Sequence, residues 1–471
     1  MTSQLGLNLP AVKVSPWGQY LVDYRGIFRL AFPLFLSSGV QAVLNLTDSW
    51  FIGRLSTDAI AAMGALYFLI LVLFILFGGV GMYVQTLVAQ AYGEGKWHQA
   101  AQAVSAGCWS ALLLTPLFVF LAFPGSGLLK LFQLSSTVEQ LALDYWMPRL
   151  LGLAIAIANL GLTAFFNGIG KTTVTLVASI TIAVLNILLN EGLMFHLNLG
   201  MAGAAWATTL SMAVGTVLFM SVFLSRNMRQ DFHSHTVWRP HWQTIRYLVA
   251  MGVPLGFLMT ADLTGIAFFQ IMQVKLGIVA GAATQVVMML TSTAYMPTLG
   301  IAQAGTTLVG QSIGAGNRRW AKRLGNVVIT LCVLYSVAVN VLLALSGRWL
   351  VPLFVTTTDA QVDAVIQLSQ TLLWLAVAYN AFNALNIGSA FCLQGTGDVK
   401  VPSRLAVLLT WLGFVPLTHM LTFSQGEGLV SFLPQLGIGV LGGWIAAILF
   451  TLVLSACLFW RWRSGIWQKV G

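Results

Sequence analysis

The sequence predicts an all-α integral membrane protein whose twelve transmembrane helices form two six-helix, pseudo-symmetric lobes. Its composition and an internal repeat support this prediction. Hydrophobic residues make up 58% of the 471-residue chain and charged residues 8%, whereas a soluble domain has about 25% charged residues. A surface so poor in charge must face hydrocarbon over most of its area.

The repeat joins two distant parts of the chain. Residues 86–95 read TLVAQAYGEG and residues 307–316 read TLVGQSIGAG, and the same offset (307 − 86 = 221) places Pro33 on Pro254. One gapless offset covers residues 33–100. Two copies of one unit in a nearly uncharged chain are typical of a two-lobed membrane transporter, in which the substrate path runs between the lobes.

Twelve apolar segments are long enough to cross a membrane, since a spanning helix needs about 20 mostly apolar residues. Internal glycine and proline are tolerated because neighbouring helices satisfy the freed backbone groups. The predicted helices are 27–50, 59–82, 100–123, 145–164, 172–194, 203–225, 245–270, 281–305, 324–347, 371–391, 402–423 and 437–461.

The lysines and arginines predict the orientation of these helices. If the N-terminus is cytoplasmic, 18 of them fall on the inner side and 5 on the outer side, where Arg149 is counted. Cytoplasmic loops carry such an excess of positive charge. The sequence therefore predicts a multi-pass protein of a bacterial-type inner membrane with both termini in the cytoplasm.

The predicted domain organisation follows from the helices and the repeat. A polar linker between the lobes contains His233, His235 and His241, but a lone HxH lacks a complete metal-ligand set, so we favour a solvated connector and expect no metal site. The predicted segments are a cytoplasmic N-terminal segment 1–26, a first lobe 27–225, a linker 226–244, a second lobe 245–461 and a cytoplasmic tail 462–471.

The sequence lacks the motifs that are typical of several functional classes. The phosphate-binding pattern GxxxxGK[ST] is absent, as are a nucleophile elbow and HExxH, so neither ATP-driven transport nor hydrolytic chemistry is expected. The four cysteines show no CxxC spacing, which argues against a disulfide framework or zinc. An energised transporter of this kind uses an ion gradient, and no cofactor beyond protons or Na⁺ is expected.

Two acidic residues lie deep inside predicted helices. Asp48 lies in the first and Asp262 in the seventh. A charge at bilayer depth costs about 2.5–3.5 kcal/mol on insertion scales, and a carboxyl group lowers this cost by binding a proton or another cation, or by facing a wet cavity. The alternative is a hydrogen-bonded structural role. At the repeat offset Asp48 corresponds to Phe269 and Asp262 to Gln41, which predicts different roles for the two lobes.

Pro33 and Pro254 lie early in the first and seventh helices. Each lacks an amide donor and leaves the carbonyl group four residues earlier unpaired. A static kink and a hinge are both compatible with this position, and we treat the two prolines as candidate hinges.

These residues form a larger pattern. FPLFLSSGVQAVLNLTDSWFIGRLSTDAIAAMG, followed by TLVAQAYGEG, resembles the multidrug and toxic compound extrusion (MATE) family. NGIGKTTV (167–174), LNILLNEGLMF (185–195), LGMAGAAWATTL (199–210) and LQGTGDVKVP (393–402) resemble its DinF-like branch. The resemblance extends from about Phe28 to Trp460.

The resemblance implies a twelve-helix antiporter that exports organic, often cationic and aromatic compounds in exchange for protons or sodium. It implies an ion site in the first lobe at Asp48, Asn186, Asn190 and Thr208. Asn190 stands where the family has a second aspartate, and Glu191 follows it. In the second lobe Asp262 matches an acidic position of sodium-linked relatives, and Asn383 stands at the other acidic position.

One carboxylate in the ion site favours proton coupling, since low dielectric favours the protonated form of a carboxyl group and a sodium site gains most from fixed negative charge. Sodium coupling stays an alternative because Asp48 and three neutral residues still offer oxygen ligands. Asp262 and Asn383 are expected to line the substrate cavity, where Asp262 would attract cations.

Two other functions are weighed against drug export. A lipid-linked precursor flippase of the wider superfamily usually has fourteen helices and a cationic cavity, whereas this chain is predicted to place acids rather than arginines in the membrane. An integral membrane enzyme would need clustered histidines or acids, and the six histidines are scattered. The expected partners are a small organic substrate and the lipid bilayer. We expect no nucleic acid, and a monomer.

Overall fold

The chain folds as a helical membrane protein, described here from a computed structural model that covers residues 9–15, 19–123, 136–354, 362–431 and 433–469. The predicted N-terminal segment 1–26 and tail 462–471 lie partly outside these residues. Twelve helices in the described part are long and apolar enough to span a membrane, which confirms the predicted fold class. They are α1 (Tyr24–Gly53), α2 (Thr57–Gly93), α3 (Trp97–Ala122), α4 (Ser136–Gly168), α5 (Thr172–His196), α6 (Gly200–Phe223), α7 (Trp242–Lys275), α8 (Ile278–Gly314), α9 (Arg318–Leu353), α10 (Val362–Thr396), α11 (Lys400–Thr422) and α12 (Val440–Ser464).

Large apolar side chains cover much of the outer surface. Phe120, Val217 and Leu412 are 70%, 68% and 75% exposed. Such exposure would be costly in water and is favourable against lipid tails. A helix satisfies its own backbone hydrogen bonds, so it can present this apolar surface to hydrocarbon.

Glycines end α2 and α8 in the same way. Gly95 and Gly316, which occupy equivalent positions in the two repeats, both have φ of 75°. This left-handed conformation favours glycine and ends an α-helix with a tight turn. Each glycine therefore follows its helix in a tight turn.

The second TLVxQ motif, 307–311, and Gln85 of α2 join three helices. Gln85 Nε2 donates to Thr307 Oγ1 at 2.9 Å, and Thr307 Oγ1 donates to the Asn167 carbonyl at 2.9 Å. Gln311 Nε2 donates to the Gly168 carbonyl at 2.7 Å. The last carbonyls of α4 lack partners within their own helix, and side chains of α8 satisfy two of them.

The backbones of α2 and α8 touch at two pseudo-symmetric points. A Cβ atom on Gly93 would overlap the carbonyl oxygen of Gln311, and one on Gly314 would overlap the carbonyl oxygen of Gln90. The repeat superimposes Gly93 on Gly314 and Gln90 on Gln311. The Gly93–Gln311 contact is therefore equivalent to the Gly314–Gln90 contact. Only glycine allows this approach.

The region of Pro254 is also closely packed. Gly252 and Gly256 flank it in α7, and a Cβ atom on Gly252 would lie 2.9 Å from the Val80 amide nitrogen of α2. On α1, Ser37 Oγ donates to the Pro33 carbonyl at 2.8 Å. Both prolines lie inside continuous helices, so neither one breaks its helix.

Contacts divide the chain into two compact units. One comprises Met1–Gly256 with Thr306–Ala321, and the other Phe257–Gly305 with Lys322–Gly471. The boundaries fall inside α7, α8 and α9 rather than in the predicted linker. The first unit's boundary in α7, at Gly256, closely follows Pro254. The predicted lobes themselves stay a prediction.

The start of α4 corrects the sequence analysis. The helix begins at Ser136, well before the predicted start at 145, because its first turns carry Glu139 and Asp144 and fall outside a purely apolar window. Arg149 therefore lies several turns inside the helix, about 20 Å from its start. The sequence analysis counts Arg149 with the outer residues, whereas the structure places it well within α4.

The segments outside the spanning helices are more ordered than expected. Strands β1 (Val12–Val14) and β2 (Tyr20–Val22) form an antiparallel hairpin with Val12 opposite Val22, and Trp320 Nε1 donates to the Pro10 carbonyl at 3.0 Å. A 3-10 turn, Ile466–Lys469, follows α12.

The predicted linker 226–244 contains a short helix, Arg226–Phe232. Phe232 and Val237 are each 4% exposed, and Ser234 is 0% exposed. Trp109 Nε1 of α3 donates to the Trp238 carbonyl at 2.9 Å. The linker is therefore packed in part against the rest of the first compact unit, while His233, His235 and His241 are exposed, as expected of a solvated connector.

Two spanning helices change their winding near functional candidates. A π-helical turn, Glu191–His196, ends α5, and a second, Leu409–Phe414, lies within α11. These are the fifth helices of the two predicted lobes. π-Turns are rare and often lie at functional sites because they shift side chains out of α-helical register.

Candidate functional site

The carboxylate of Asp48 lies near the end of α1, which closes at Gly53, and is half-buried. Asn190 Nδ2 of α5 donates to its Oδ1 at 2.7 Å. This short bond joins residues 142 positions apart in the chain. It stabilises a negative charge that hydrocarbon would otherwise make costly.

A chain of hydrogen bonds extends from Asp48 through α5 to α6. Asn190 Nδ2 also donates to Asn186 Oδ1 at 3.0 Å, since residues four apart share one face of an α-helix. Asn186 Nδ2 lies 3.4 Å from Thr208 Oγ1, which donates to the Ala204 carbonyl at 3.1 Å. The structure thus brings together the four residues that the resemblance assigns to the ion site.

One acceptor in this cluster is unused. Asn190 Oδ1 is buried and has no hydrogen-bond partner among the described residues. Asn186 and Asn190 are each 0% exposed. A buried unpaired oxygen costs free energy until a donor or a cation reaches it. The cluster can therefore accept one more proton donor or positive ion.

Glu191 does not belong to the cluster. It begins the π-turn of α5 and pairs with Arg54 at 2.9 Å, with the two side chains 42% and 41% exposed. The Arg54 guanidinium also lies over the rings of Trp50 and Phe195, at 5.0 and 4.5 Å from their centroids. Although Glu191 follows Asn190 in sequence, it does not supply the missing carboxylate.

Arg149 is a member of this region that the sequence analysis misplaced. Its Nε is buried and without a hydrogen-bond partner among the described residues, and its charge acts on the Asp48 carboxyl. The predicted helix 145–164 includes Arg149, but Arg149 lies so close to the predicted start that it was counted with the outer residues.

The second acidic candidate, Asp262 of α7, lines a narrow cavity inside the second compact unit. The cavity encloses about 20 Å³, which is room for about one water molecule. Tyr295 of α8, Asn386 of α10 and Thr410 of α11 also line it. The Thr410 Oγ1 atom is buried without a partner among the described residues and lies in the second π-turn.

Asn383 is not among the residues that line this cavity. It is 3% exposed, and its Oδ1 has no partner among the described residues. Asn386, further along α10, takes the position on the cavity. No sequence signal distinguished the two asparagines, because the face of α10 that meets Asp262 is set by packing.

Tyr295 and Tyr379 were also missed. The charge of Asp262 acts on both of them. Neither residue differs in the sequence from an ordinary aromatic residue of an apolar helix. Their proximity to Asp262 becomes visible only when α7, α8 and α10 are packed.

The histidines do not assemble with other ligands. Among the described residues no group of three or more His, Cys, Asp or Glu side chains could hold a metal ion. His98 and His233 approach each other with ring centroids 6.3 Å apart. Two rings at that separation do not form a metal site by themselves.

Comparison with known proteins identifies a protein family that matches this chain. The MatE family profile matches residues 33–191 and 254–418. The two matches begin at Pro33 and Pro254, the pair of residues that the repeat superimposes. They cover more than half of the chain and both halves of the repeat.

Relatives match over nearly the whole length. A probable multidrug resistance protein NorM of Bradyrhizobium diazoefficiens is 28% identical over 458 residues, which is 95% of each chain. The protein of the same name from Pseudomonas putida is 28% identical and covers 89% of this chain and 92% of its own. An outward-facing multidrug resistance MATE family transporter of the MOP superfamily has a TM-score of 0.82 at 20% identity, covering 94% of this chain and 96% of its own.

Proposed function

The chain belongs to the MatE family of multidrug-efflux transporters, and from that premise we propose that it exports organic, chiefly cationic and aromatic compounds in exchange for protons. Its relatives are named for multidrug resistance, and its twelve spanning helices fit a secondary transporter. The coupling ion is the part of this proposal that rests on the site itself.

The composition of the Asp48 cluster is the observation that supports proton coupling. It contains one carboxylate and three neutral side chains, and the only carboxylate near it in sequence, Glu191, is paired with Arg54 outside it. One carboxylate binds one proton without needing further ligands. The cluster is therefore sufficient for a proton.

The unused acceptor supports the same reading. When Asp48 is ionised, it accepts a hydrogen bond from Asn190 Nδ2 at 2.7 Å. When it carries a proton, its O–H becomes a donor, and Asn190 Oδ1 is an acceptor without a partner among the described residues. The same pair can thus satisfy both states of the carboxyl group after rotation of the amide.

Asp262 is proposed to attract cationic substrates in the second lobe. It lies in α7 beside Tyr295 and Asn386 in a cavity of about 20 Å³. That space admits water but not an organic compound. Substrate binding at Asp262 therefore requires the surrounding helices to move apart, as expected of a transporter that alternates between states.

The excess of lysine and arginine in the predicted inner connectors supports an inner-membrane protein with both termini in the cytoplasm. In this orientation the contact of α2 with α8 at Gly93 and Gly314 lies on the cytoplasmic side, and Asp48 lies toward the outside.

A sodium-coupled exporter remains a second candidate because the cluster is rich in oxygen. Asp48, Asn190 Oδ1 and Thr208 Oγ1 are hard ligands of the kind that small cations prefer. The unused Asn190 Oδ1 is the specific observation in its favour. The small number of fixed negative charges argues against it.

Substrate efflux from proteoliposomes tests the proposal. With an imposed pH gradient and no sodium gradient, the native protein should export a cationic dye, and the Asp48→Asn variant should not. Efflux driven by a sodium gradient at equal, clamped pH would contradict proton coupling. Absence of any ion-driven efflux, with flipping of a lipid-linked precursor instead, would contradict the export function.

A further inference from the structure

The start of α1 exposes aromatic and basic side chains that the proposed mechanism does not use. Tyr24 and Phe28 are 65% and 64% exposed, and Phe28 stacks on Phe32 with ring centroids 5.1 Å apart. Arg25 and Arg29 are exposed as well. Residues four apart share one side of an α-helix, so the aromatic residues and the arginines form two neighbouring stripes on one exposed surface.

Other positions in the first turn of α1 are packed against the N-terminal hairpin. A Cβ atom on Gly26 would lie 3.5 Å from the Ala11 Cα atom. The Asp23 amide donates to the Ala11 carbonyl at 2.9 Å, and Ile27 is 1% exposed. These contacts fix the orientation of the helix start, so its exposed arginines and aromatic residues point away from the protein.

The two arginines are unpaired within the described part of the chain. None of the three ion pairs found there includes Arg25 or Arg29. The neighbouring acid, Asp23, caps α1 by accepting a hydrogen bond from the Arg25 amide nitrogen at 3.1 Å. Two guanidinium groups one helical turn apart are therefore available to an anion from outside the chain.

The length of α1 places this surface at the level of the lipid headgroups. Between Tyr24 and Trp50, which is 59% exposed near the other end of the helix, α1 rises about 39 Å at about 1.5 Å per residue. A bilayer with its headgroup regions is about 40–45 Å thick. Exposed tyrosine and tryptophan are typical of the two membrane interfaces, so the start of α1 lies at one of them.

The second repeat does not reproduce this surface. At the repeat offset Arg29 corresponds to Ala250 of α7, and Tyr24 corresponds to Ile245. Ile245 is 4% exposed. At these equivalent positions α7 therefore lacks both the second arginine and the exposed aromatic residue, so the combination is a property of α1 rather than of the repeated fold.

We propose that the start of α1 binds the headgroup of an anionic phospholipid, with the phosphate held by Arg25 and Arg29 and the upper acyl chains against Phe28 and Phe32. Guanidinium groups bind phosphate oxygens through paired, charge-assisted hydrogen bonds. Long arginine side chains extend along the helix to reach the headgroup level, which allows Arg29 to act one turn deeper than Arg25. The aromatic stripe favours a lipid over a free anion, because a free anion has no apolar part to cover it.

Lipid binding by the purified full-length chain in an uncharged detergent tests this site. Native mass spectrometry, with phosphatidylglycerol or phosphatidylcholine of identical acyl chains as the probe, measures the affinity of the tightest bound lipid. The native protein should prefer phosphatidylglycerol by about tenfold or more, since each arginine near the headgroups adds to the attraction for an anionic lipid. The double variant Arg25→Gln/Arg29→Gln should lose this preference, and Arg25→Lys/Arg29→Lys should keep most of it.

The matched control is Arg226→Gln/Arg229→Gln in the short helix that follows α6. This pair is also exposed, and its removal lowers the net charge by the same amount. It should leave the preference for phosphatidylglycerol unchanged. An equal loss in both double variants would show that net charge controls lipid binding and would overturn the α1 site, as would an unchanged preference in Arg25→Gln/Arg29→Gln.

Two other ligands give different results in the same spectra. At equal ionic strength, inorganic phosphate should displace no more phosphatidylglycerol than chloride does, and stronger displacement would assign the arginines to free phosphate instead. A native dimer that Arg25→Gln/Arg29→Gln abolishes, with lipid binding unchanged, would make this surface an interface between copies. Either result would overturn the proposal.

A measurement on the native protein alone removes dependence on the folding of the variants. A ligand that binds the folded state raises the midpoint of thermal unfolding. Phosphatidylglycerol should therefore raise this midpoint in detergent above the value with phosphatidylcholine, and equal midpoints would contradict the proposal. Because transport is not measured, these outcomes do not depend on which ion drives export.

Discussion

Asn190 donates its side-chain amide to the Asp48 carboxylate at 2.7 Å, at the residue where α5 passes from α-helical into π-helical winding. The next residue, Glu191, begins the π-turn and pairs with Arg54. Consecutive residues of a helix point in different directions, so a neutral ligand of the cluster and the carboxylate that follows it have different partners. The cluster consequently keeps a single carboxylate.

Asp48→Asn should abolish ion-driven export while leaving the fold intact, because an amide can keep the hydrogen bond but cannot bind a proton for transport. Efflux of a cationic dye from proteoliposomes under a pH gradient measures this. Asp58→Asn is the matched control, since Asp58 is an exposed acid at the start of α2, and it should export at the native rate. Full efflux by Asp48→Asn would remove Asp48 from the coupling mechanism.

Asn190→Asp should create sodium dependence. It adds a second carboxylate at a position where the side chains now meet at 2.7 Å, and two like charges so close favour a shared cation or proton. Export at equal pH should then respond to an imposed sodium gradient. Glu191→Gln is the control, because Glu191 lies outside the cluster, and it should leave the ion preference unchanged. A sodium response in both variants would show that surface charge rather than the cluster controls ion choice.

Asp262→Asn should weaken binding of a cationic dye more than binding of a neutral ligand of similar size, since only the cation interacts with the carboxylate charge. Fluorescence titration of the purified protein measures both affinities. Asn386→Ala should also weaken dye binding, because Asn386 lines the cavity with Asp262. Asn383→Ala should have a smaller effect. The reverse order for the two asparagines would support the sequence-based assignment of Asn383 instead.

Gly93→Ala should destabilise the protein by about 1–3 kcal/mol, the usual cost of overpacking. Its new methyl group would overlap the Gln311 carbonyl and force α2 away from α8. Gly314→Ala should behave alike because its methyl group would meet Gln90 in the symmetric contact.

The control for these variants is Gly39→Ala in α1. Among the described residues, no atom of a neighbouring helix lies within 4 Å of the added methyl group, and alanine favours a helix over glycine by about 0.5–1 kcal/mol. Thermal unfolding in detergent should therefore show a lower midpoint for Gly93→Ala and an equal or higher one for Gly39→Ala. Equal midpoints for all three variants would show that α2 and α8 adjust to the new methyl groups without cost.

The sequence by itself determined the twelve spanning helices, because a segment of about 20 apolar residues has few other stable states. It also identified the repeat, and the matched family regions begin at its two prolines. Asp48 and Asp262 stood out because an acid within an apolar segment is rare and costly. These features depend on local composition, which can be read along the chain.

Tertiary structure decided which side chains meet. Asp48 and Asn190 are 142 residues apart, and their contact was expected only by resemblance to a family. Arg149 was counted with the outer residues because it lies close to the predicted start of its helix, whereas α4 begins at Ser136. Asn383 and Asn386 were indistinguishable before α10 was packed. In a membrane, lipid-facing and protein-facing surfaces are both apolar, so hydrophobic periodicity does not show which face of a helix is buried. The buried face of each helix is determined instead by close packing and by polar and charged interactions between helices.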